Sequence, residues 1–516
     1  LKVAISYPPI VNNLGQKAMV SQNRNVQYFK EPTYLLPVVH AQAATWLRDL
    51  GHDVLWDDGN AQLKTFDRWL SDLTAWNPDV IVLESTTPVM KFYWRTVDRL
   101  KEVLPRAIVV MTGYHSMRAP EETLNNSKTD VVLRSNHVDF VLSKLVPSIA
   151  AKKDWRLDLK VDGLSFRGAD GRIHSTGDFR RVERLENSPL IDRDLIRWKN
   201  YAYENGNYLQ TPGTYATSVI RDCMFGKCTF CRYNGPELTF SMMPVERSLN
   251  EYETLVRKFK AREIFDDSGV WYRGADARRF AQGIIDRGLH KEDCYYGINT
   301  RFEYLDDETL KLMGKANFRF ILLGLEAADD ETLERLNKGY LAENAMRNLE
   351  QMTKHGLHPH LTVMVGYYWQ TAEQLQKTVD MVKGAMIKGL ARTLQVTICT
   401  PLDFTPYHNE CLQKGVLLAQ DYDDHDMSKI IVKTPISHDR YYDAVREMYS
   451  IAFSPRFILR QLRFLLSFRK RDWQFLFTYG WRAVRRVRQH MFNLTRNRGS
   501  NGCDAVKETA PTTESV

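Results

Sequence analysis

Three cysteines fall within nine residues, Cys223-Met-Phe-Gly-Lys-Cys228-Thr-Phe-Cys231, and they are the strongest chemical signal in the chain. Three thiolates presented by one loop can hold three irons of a [4Fe–4S] cluster and leave the fourth iron without a protein ligand. A small molecule carrying both an amine and a carboxylate can chelate that iron. One electron from the cluster can then cleave an activated carbon–sulfur bond; in such sites the cofactors carry the hard chemistry and the protein supplies position and shielding. A structural zinc site is the competing use of clustered cysteines, but zinc takes four ligands, often as two Cys-x-x-Cys pairs. No second pair exists here, and the nearest other cysteine is Cys294. Cys294, Cys399, Cys411 and Cys503 read as buried or incidental thiols. Seven cysteines in 516 residues make no disulfide framework, which points to a reducing, cytoplasmic compartment.

A loop of this kind needs a scaffold, and residues 216–410 supply the pattern of one. Apolar runs at Ala216–Ile220, Glu263–Phe265, Tyr295–Asn299, Phe318–Leu323, His360–Val365 and Leu394–Ile398 alternate with segments of helical spacing. Six such βα units predict a partial (βα)6, TIM-like barrel with the cysteine loop after its first strand. Residues 1–150 alternate in the same way. Strands are predicted at Lys2–Tyr7, Asp53–Trp56, Asp79–Leu83, Ala107–Met111 and Asp130–Leu133, with helices between them, hence a Rossmann-like parallel α/β sheet covered on both faces. Ligands in such sheets bind beyond the carboxyl ends of the strands. That rule places Ser6, Tyr7, Pro8, Ser85, Thr86, Thr87, Gly113 and His115 around one crevice. Residues 151–215 read as a linker with a hairpin turning at Asp170-Gly171, 411–500 as a helical domain, and 501–516 as a disordered tail.

The segment RDCMFGKCTFC resembles the cysteine loop of radical S-adenosylmethionine (SAM) enzymes. The commonest form of that loop is Cys-x3-Cys-x2-Cys; here it is Cys-x4-Cys-x2-Cys, and Gly226 makes the bulge sterically easy. The resemblance continues in order. IFDDSG (264–269) is similar to the segment that binds the methionyl part of SAM, which implies Asp266 and Asp267 as contacts. The long stretch from Asn299 to Tyr340 resembles the cobalamin-associated branch and implies SAM contacts at Arg301 and Glu326. VMVGYYWQTAEQL places Gly366 near the adenine, as the loop places Phe230, and TICTPLDFTPYH resembles a loop that faces substrate. Each residue also has a plainer reading: Asp266 or Asp267 as a turn cap, Glu326 as an ion-pair partner, Arg301 as a surface cation, His115 as a hydrogen-bonded loop residue. The front domain resembles the cobalamin (B12)-binding domain of the same branch, through KVAISYPPI, PDVIVLESTTPV and VVMTGYHSMRAPEETL. The Asp-x-His-x-x-Gly motif of classical B12 proteins is absent, and RSNHVDF (134–140) stands where an acidic Gly-Glu-x-Glu piece is usual.

The resemblance implies an enzyme that uses a [4Fe–4S] cluster to cleave SAM to a 5′-deoxyadenosyl radical and, with cobalamin, C-methylates an unactivated carbon. A non-methylating oxidoreductase or cyclase acting on a porphyrin- or isoprenoid-lipid-like substrate is the alternative, and a zinc- or nucleic-acid-binding protein without catalysis is the third. A flavodoxin- or ferredoxin-type protein is the expected electron donor. Net charge is +8, but residues 451–498 hold twelve Lys or Arg against one acid, Asp472, so the basic character belongs to one element and is no general nucleic-acid footprint. In that element aromatic residues interleave with arginines between 454 and 492, a pattern that suits peripheral contact at the inner membrane face. No run is long and apolar enough to span a bilayer.

Overall fold

The computed structural model describes residues 1–20, 25–151, 154–156, 159–179, 182, 184–203, 210–235, 240–465, 485 and 488. Its first layer is a seven-stranded sheet. The strands are β1 (Lys2–Tyr7), β4 (Asp53–Asp58), β5 (Val80–Glu84), β6 (Ile108–Thr112), β7 (Val131–Leu133), β8 (Leu164–Arg167) and β9 (Ile173–Ser175), in the order β4-β1-β5-β6-β7-β8-β9. The first five are parallel. Val80 to Leu83 are fully buried, as helices on both faces of a parallel sheet require, and this is why these strands read as unbroken apolar runs. A small antiparallel pair, β2 (Lys17–Val20) and β3 (Val26–Phe29), stands beside the sheet; the sequence reading assigned nothing there.

The predicted hairpin between 164 and 175 exists, but it does not stand apart in a linker. β8 pairs antiparallel with β7, so the hairpin extends the front sheet and satisfies the backbone groups that β7 would otherwise expose at an edge. Beyond it, Ile191, Ile196, Trp198 and Tyr201 are buried in the same apolar core as Val38, Leu142 and Val146. Arg193, also buried, donates to Glu251 at 3.0 Å and to Thr214 at 2.9 Å on the barrel side.

The second layer is six parallel strands, β10 (Gly213–Ala216), β13 (Glu263–Asp266), β14 (Tyr295–Thr300), β15 (Phe318–Glu326), β16 (His358–Val365) and β17 (Thr393–Ile398), in sequence order. This is the expected partial barrel, with β10 and β17 as its edges. Its first strand lies earlier than the apolar run 216–220 suggested. The backbone N–H of Thr217 turns out of the sheet to the Glu251 carboxylate, and the chain then forms β11 (Ile220–Arg221), paired antiparallel with β12 (Ser241–Met242). That two-stranded ribbon brackets the cysteine loop.

The C-terminal region is not all helical. The helix Pro406–Gln413 ends at Gly415, where the backbone turns left-handed, and among the described residues 414–437 hold a short 3-10 turn (Tyr422–His425) and an isolated bridge between Leu417 and Val432. Helices resume at His438–Ser450 and Pro455–Leu465. Of the helical domain expected at 411–500, residues 466–500 lie outside the described residues apart from Arg485 and Arg488, and so does the tail 501–516. Among the described residues no helix is long and apolar enough to cross a membrane.

The two layers are locked by a buried pair. Arg221 donates through both terminal nitrogens to Asp139, at 2.6 and 2.7 Å, and to the Gln42 amide oxygen at 2.7 Å. The Ser188 hydroxyl bonds the same carboxylate. Next to it, Asn136 donates to Asp222 at 2.9 Å. RSNHVDF is therefore the front domain's docking segment. Removing Asp139 leaves a buried guanidinium without its anion, so D139A should lower the unfolding free energy by about 3–5 kcal/mol in urea titration.

His137 sits in the same junction, with neither ring nitrogen hydrogen-bonded. Burial first, and the Arg221 charge second, push its imidazole down to about 4, against an upward pull from Asp139. The unfolded chain takes up this proton below about pH 6.5, whereas the folded chain does so only near 4, so the stabilisation is complete above 6.5 and drains as pH falls. Between pH 7 and pH 5 the wild type should lose about 2 kcal/mol more unfolding free energy than H137Q, compared by denaturant titration at both values.

Candidate active site

The cysteine loop is held in a tight fold by its own backbone and by two barrel segments. The N–H of Cys231 donates to the carbonyl of Cys228 at 3.2 Å, and Thr229 donates to Leu336 at 3.1 Å. Asn337 donates to the Lys227 carbonyl at 3.0 Å, and Tyr407 donates to Thr229 at 3.0 Å. Gly226 has φ +56°, the left-handed conformation that the extra residue between Cys223 and Cys228 demands and that glycine adopts without penalty. All three thiols are free and half-buried. Burial pushes Cys228 and Cys231 up, while Lys338 and Arg301 pull Cys228 back toward the thiolate. Three thiols in one sheltered turn, with Lys338 and Arg301 near Cys228, fit the three anionic ligands of an iron–sulfur cluster.

Around the loop stand several of the residues anticipated from the sequence. The Arg301 guanidinium lies 3.5 Å above the Phe225 ring and bonds Glu303 at 2.5 Å and the Lys338 carbonyl. Glu326 ends β15 at a register shift, with φ +61°, and pairs with Lys338 Nζ at 3.2 Å. Lys338 Nζ is also 5.9 Å from the Phe230 ring, so Glu326, Lys338, Arg301 and Phe230 form one wall beside the cysteines. Gly366 follows β16, and its N–H donates to Gln370 at 2.9 Å. The two aspartates after β13 divide. Asp266 is fully buried and accepts from the N–H groups of Ser268 at 2.9 Å and Val219 at 3.2 Å; burial raises its carboxyl to about 7. Asp267 instead faces a cleft between the two domains.

That cleft is lined by Leu36, His40, Glu84, Gly113 and Tyr114 from the front domain and by Asp222, Arg232 and Asp267 from the barrel. Of the eight front-domain residues placed around a crevice from the sequence, Gly113 lines it. A Cβ at Gly113 would lie 2.0 Å from the Ser85 carbonyl oxygen, so only glycine lets the ends of β5 and β6 come this close. The others brace the rim. Ser6 lies between the Asp57 carbonyl and the Trp69 indole, the Tyr7 hydroxyl donates to Glu84 at 2.9 Å, and the Pro8 carbonyl accepts from Asn60. Ser85 bonds Ser116 at 2.8 Å, and Thr86 accepts from Arg232 at 2.6 Å. His115 is buried, with one ring nitrogen 3.2 Å from Thr87 and the other 3.2 Å from Glu122.

Sequence reasoning missed Arg232 and Lys338. Arg232 follows the last cysteine, is buried, crosses to Thr86 and stacks 4.8 Å from the Tyr114 ring, tying the loop to the front domain. Its place directly after a ligand was the available signal. Lys338 offered none beyond its place in the LNKGY segment.

This is the arrangement of an iron–sulfur, SAM-binding barrel behind a nucleotide-type sheet. Residues 217–382 match the family model described as the Radical SAM superfamily. Those residues form a radical SAM domain, which implies a [4Fe–4S] cluster and SAM; the front domain has the fold found in cobalamin-dependent radical SAM enzymes. It is 24% identical over 392 residues to an uncharacterized methyltransferase of Pyrococcus horikoshii, covering 75% of this chain and 80% of that protein. It is 25% identical over 352 residues to the anaerobic magnesium-protoporphyrin IX monomethyl ester cyclase of Rubrivivax gelatinosus, covering 67% of this chain and 62% of the cyclase. The cobalamin-dependent SAM radical enzyme OxsB, solved with aqua-cobalamin and SAM, superposes with a TM-score of 0.66 at 13% identity, over 95% of this chain and 71% of that one.

With three protein ligands available, C228A should retain less than roughly a tenth of the wild-type iron after anaerobic reconstitution and form no 5′-deoxyadenosine from SAM. Iron analysis and product chromatography check both.

Proposed function

We propose that this chain is a cobalamin-dependent methyltransferase that transfers a methyl group to an unactivated carbon of a small-molecule or lipid-like substrate. The observation that carries the reading is the single cleft shared by the cysteine-loop side of the barrel and the carboxyl ends of the front sheet. When bound, the cluster with SAM supplies hydrogen-atom abstraction and the corrinoid supplies a transferable methyl group. This chain's own residues do the rest. Arg301 and Lys338 offset negative charge beside the thiolates, and Glu326, positioned by Lys338, offers an acceptor for a SAM amine. Phe230 and Gly366 are the residues proposed to hold the adenine, and Asp267 and Arg232 line the cleft. Leu36, Val38 and Tyr114 give the front wall an apolar surface against which a corrinoid ring can lie. His115, engaged at both ring nitrogens, supports a cobalamin held without that histidine as lower ligand.

The likeness to a methyltransferase supports methylation, and the likeness to a cyclase supports a second reading, in which the enzyme oxidises or cyclises a porphyrin- or isoprenoid-like substrate without methyl transfer. Exposed Ile458 and Leu459 beside exposed Arg456 and Arg460 support an apolar substrate and peripheral membrane contact. A flavodoxin- or ferredoxin-type donor is the reductant proposed for the cluster.

SAM labelled in its methyl group separates the two readings. Methyl transfer should give 5′-deoxyadenosine and S-adenosylhomocysteine in roughly equal amounts, with label in the product. Formation of 5′-deoxyadenosine with no S-adenosylhomocysteine would select the second reading.

A further inference from the structure

Away from the cysteine loop, Asp403, His408 and His425 bring three metal-ligating side chains together, with one donor atom of each within 4.8 Å of the others. They come from three separate pieces of chain: the loop after β17, the first turn of the helix Pro406–Gln413, and the 3-10 turn Tyr422–His425. His408 Nε2 is 3.2 Å from Asp403 Oδ1, and His425 Nε2 is 3.8 Å from the same oxygen. Ions such as zinc sit about 2.0–2.2 Å from imidazole nitrogen and carboxylate oxygen, so tetrahedral donors around one ion lie about 3.2–3.6 Å apart. The observed separations lie close to that range.

A second observation points the same way. The three residues are between 4% and 9% exposed, yet neither ring nitrogen of His425 has a hydrogen-bond partner, and neither has Asp403 Oδ2. Burying polar atoms without partners is unfavourable, and two imidazoles with one carboxylate form a donor set that a divalent ion satisfies together. The surroundings fix these pieces in place. Thr405 caps the helix by accepting from the His408 N–H at 3.2 Å. Phe404, left-handed at φ +66°, packs 5.7 Å from the His115 ring and 6.3 Å from the Tyr114 ring. Tyr422 donates to Glu122 at 2.8 Å, and Asp421 pairs with Lys91, so the turn carrying His425 is anchored on the front domain.

We propose that Asp403, His408 and His425 bind one divalent transition-metal ion of the zinc class, joining the loop after β17 to the turn anchored on the front domain at the barrel mouth. Three protein donors leave one coordination position for water or for an oxygen or nitrogen donor of the substrate.

The test uses the full chain with its iron–sulfur cluster reconstituted anaerobically, so that the three cysteines are occupied. It is equilibrated with Zn²⁺, desalted and analysed for zinc and iron by mass spectrometry. About one zinc per chain is expected in the wild type, and H425Q and D403N should each hold at least about tenfold less with iron unchanged. Zinc below about a tenth per chain in the wild type, or the wild-type amount of zinc retained in both variants, would overturn the proposal. Should both variants fail to fold, the wild type alone decides: its melting temperature should rise with added Zn²⁺ and fall back on chelation, and an unchanged melting temperature would reject the site.

Discussion

A guanidinium and a carboxylate buried between two domains set the geometry of everything else. Arg221 stands two residues before the first cysteine, on the short strand that opens the loop, and Asp139 belongs to the first turn of a front-domain helix. Removing both charges from water is costly, and the cost is offset by the bidentate contact and by the further hydrogen bonds to Gln42 and from Ser188. Such a pair contributes register more than net stability. A small sliding of the domains would break both hydrogen bonds at once, so the cysteine loop faces the front sheet in one position.

The backbone repeats this use of constrained contacts at two strand ends and in the loop after β17. Asp222, Glu326 and Phe404 all lie in the left-handed region, at φ +59°, +61° and +66°. For residues with a Cβ this costs about 1–2 kcal/mol each. In each case a tertiary contact holds the conformation: Asn136 on Asp222, Lys338 on Glu326, and the His115 and Tyr114 rings on Phe404. The left-handed turn lets the chain leave the strand sharply enough to aim a side chain into the site.

Much of this was legible in the sequence, and the failures have a common cause. The parallel strands were readable because burial on both faces makes them uninterrupted apolar runs, and the cysteine loop because thiols so closely spaced have few other uses. Arg301, Glu326 and Phe230 were singled out through an ordered resemblance, and they stand on one wall around Lys338. What was missed acts across long separations. Arg221 and Asp139 are 82 positions apart, and Arg232 lies 146 from the Thr86 hydroxyl that it reaches. The first barrel strand was placed late because Ala216–Ile220 is as apolar as a strand, and only the Glu251 carboxylate turns it away. The all-helical reading of the region after 411 failed because 414–437 packs by tertiary contact and carries no period of its own.

The chain between the domains is where these strands of argument meet. Parallel sheets concentrate ligand-binding groups at their carboxyl ends. Glu84, Gly113 and Asp267, from the ends of β5, β6 and β13, line the same cleft, so the two sheets point their reactive ends at each other. Two such sheets joined by a loose tether would form two separate sites and spend most of their time apart. Here the connection is part of the core: its hairpin completes the front sheet, Ile191 and Trp198 are buried with the front helices, and Arg193 reaches the barrel. Packed in this way, the connection keeps the carboxyl ends of the two sheets facing one cleft.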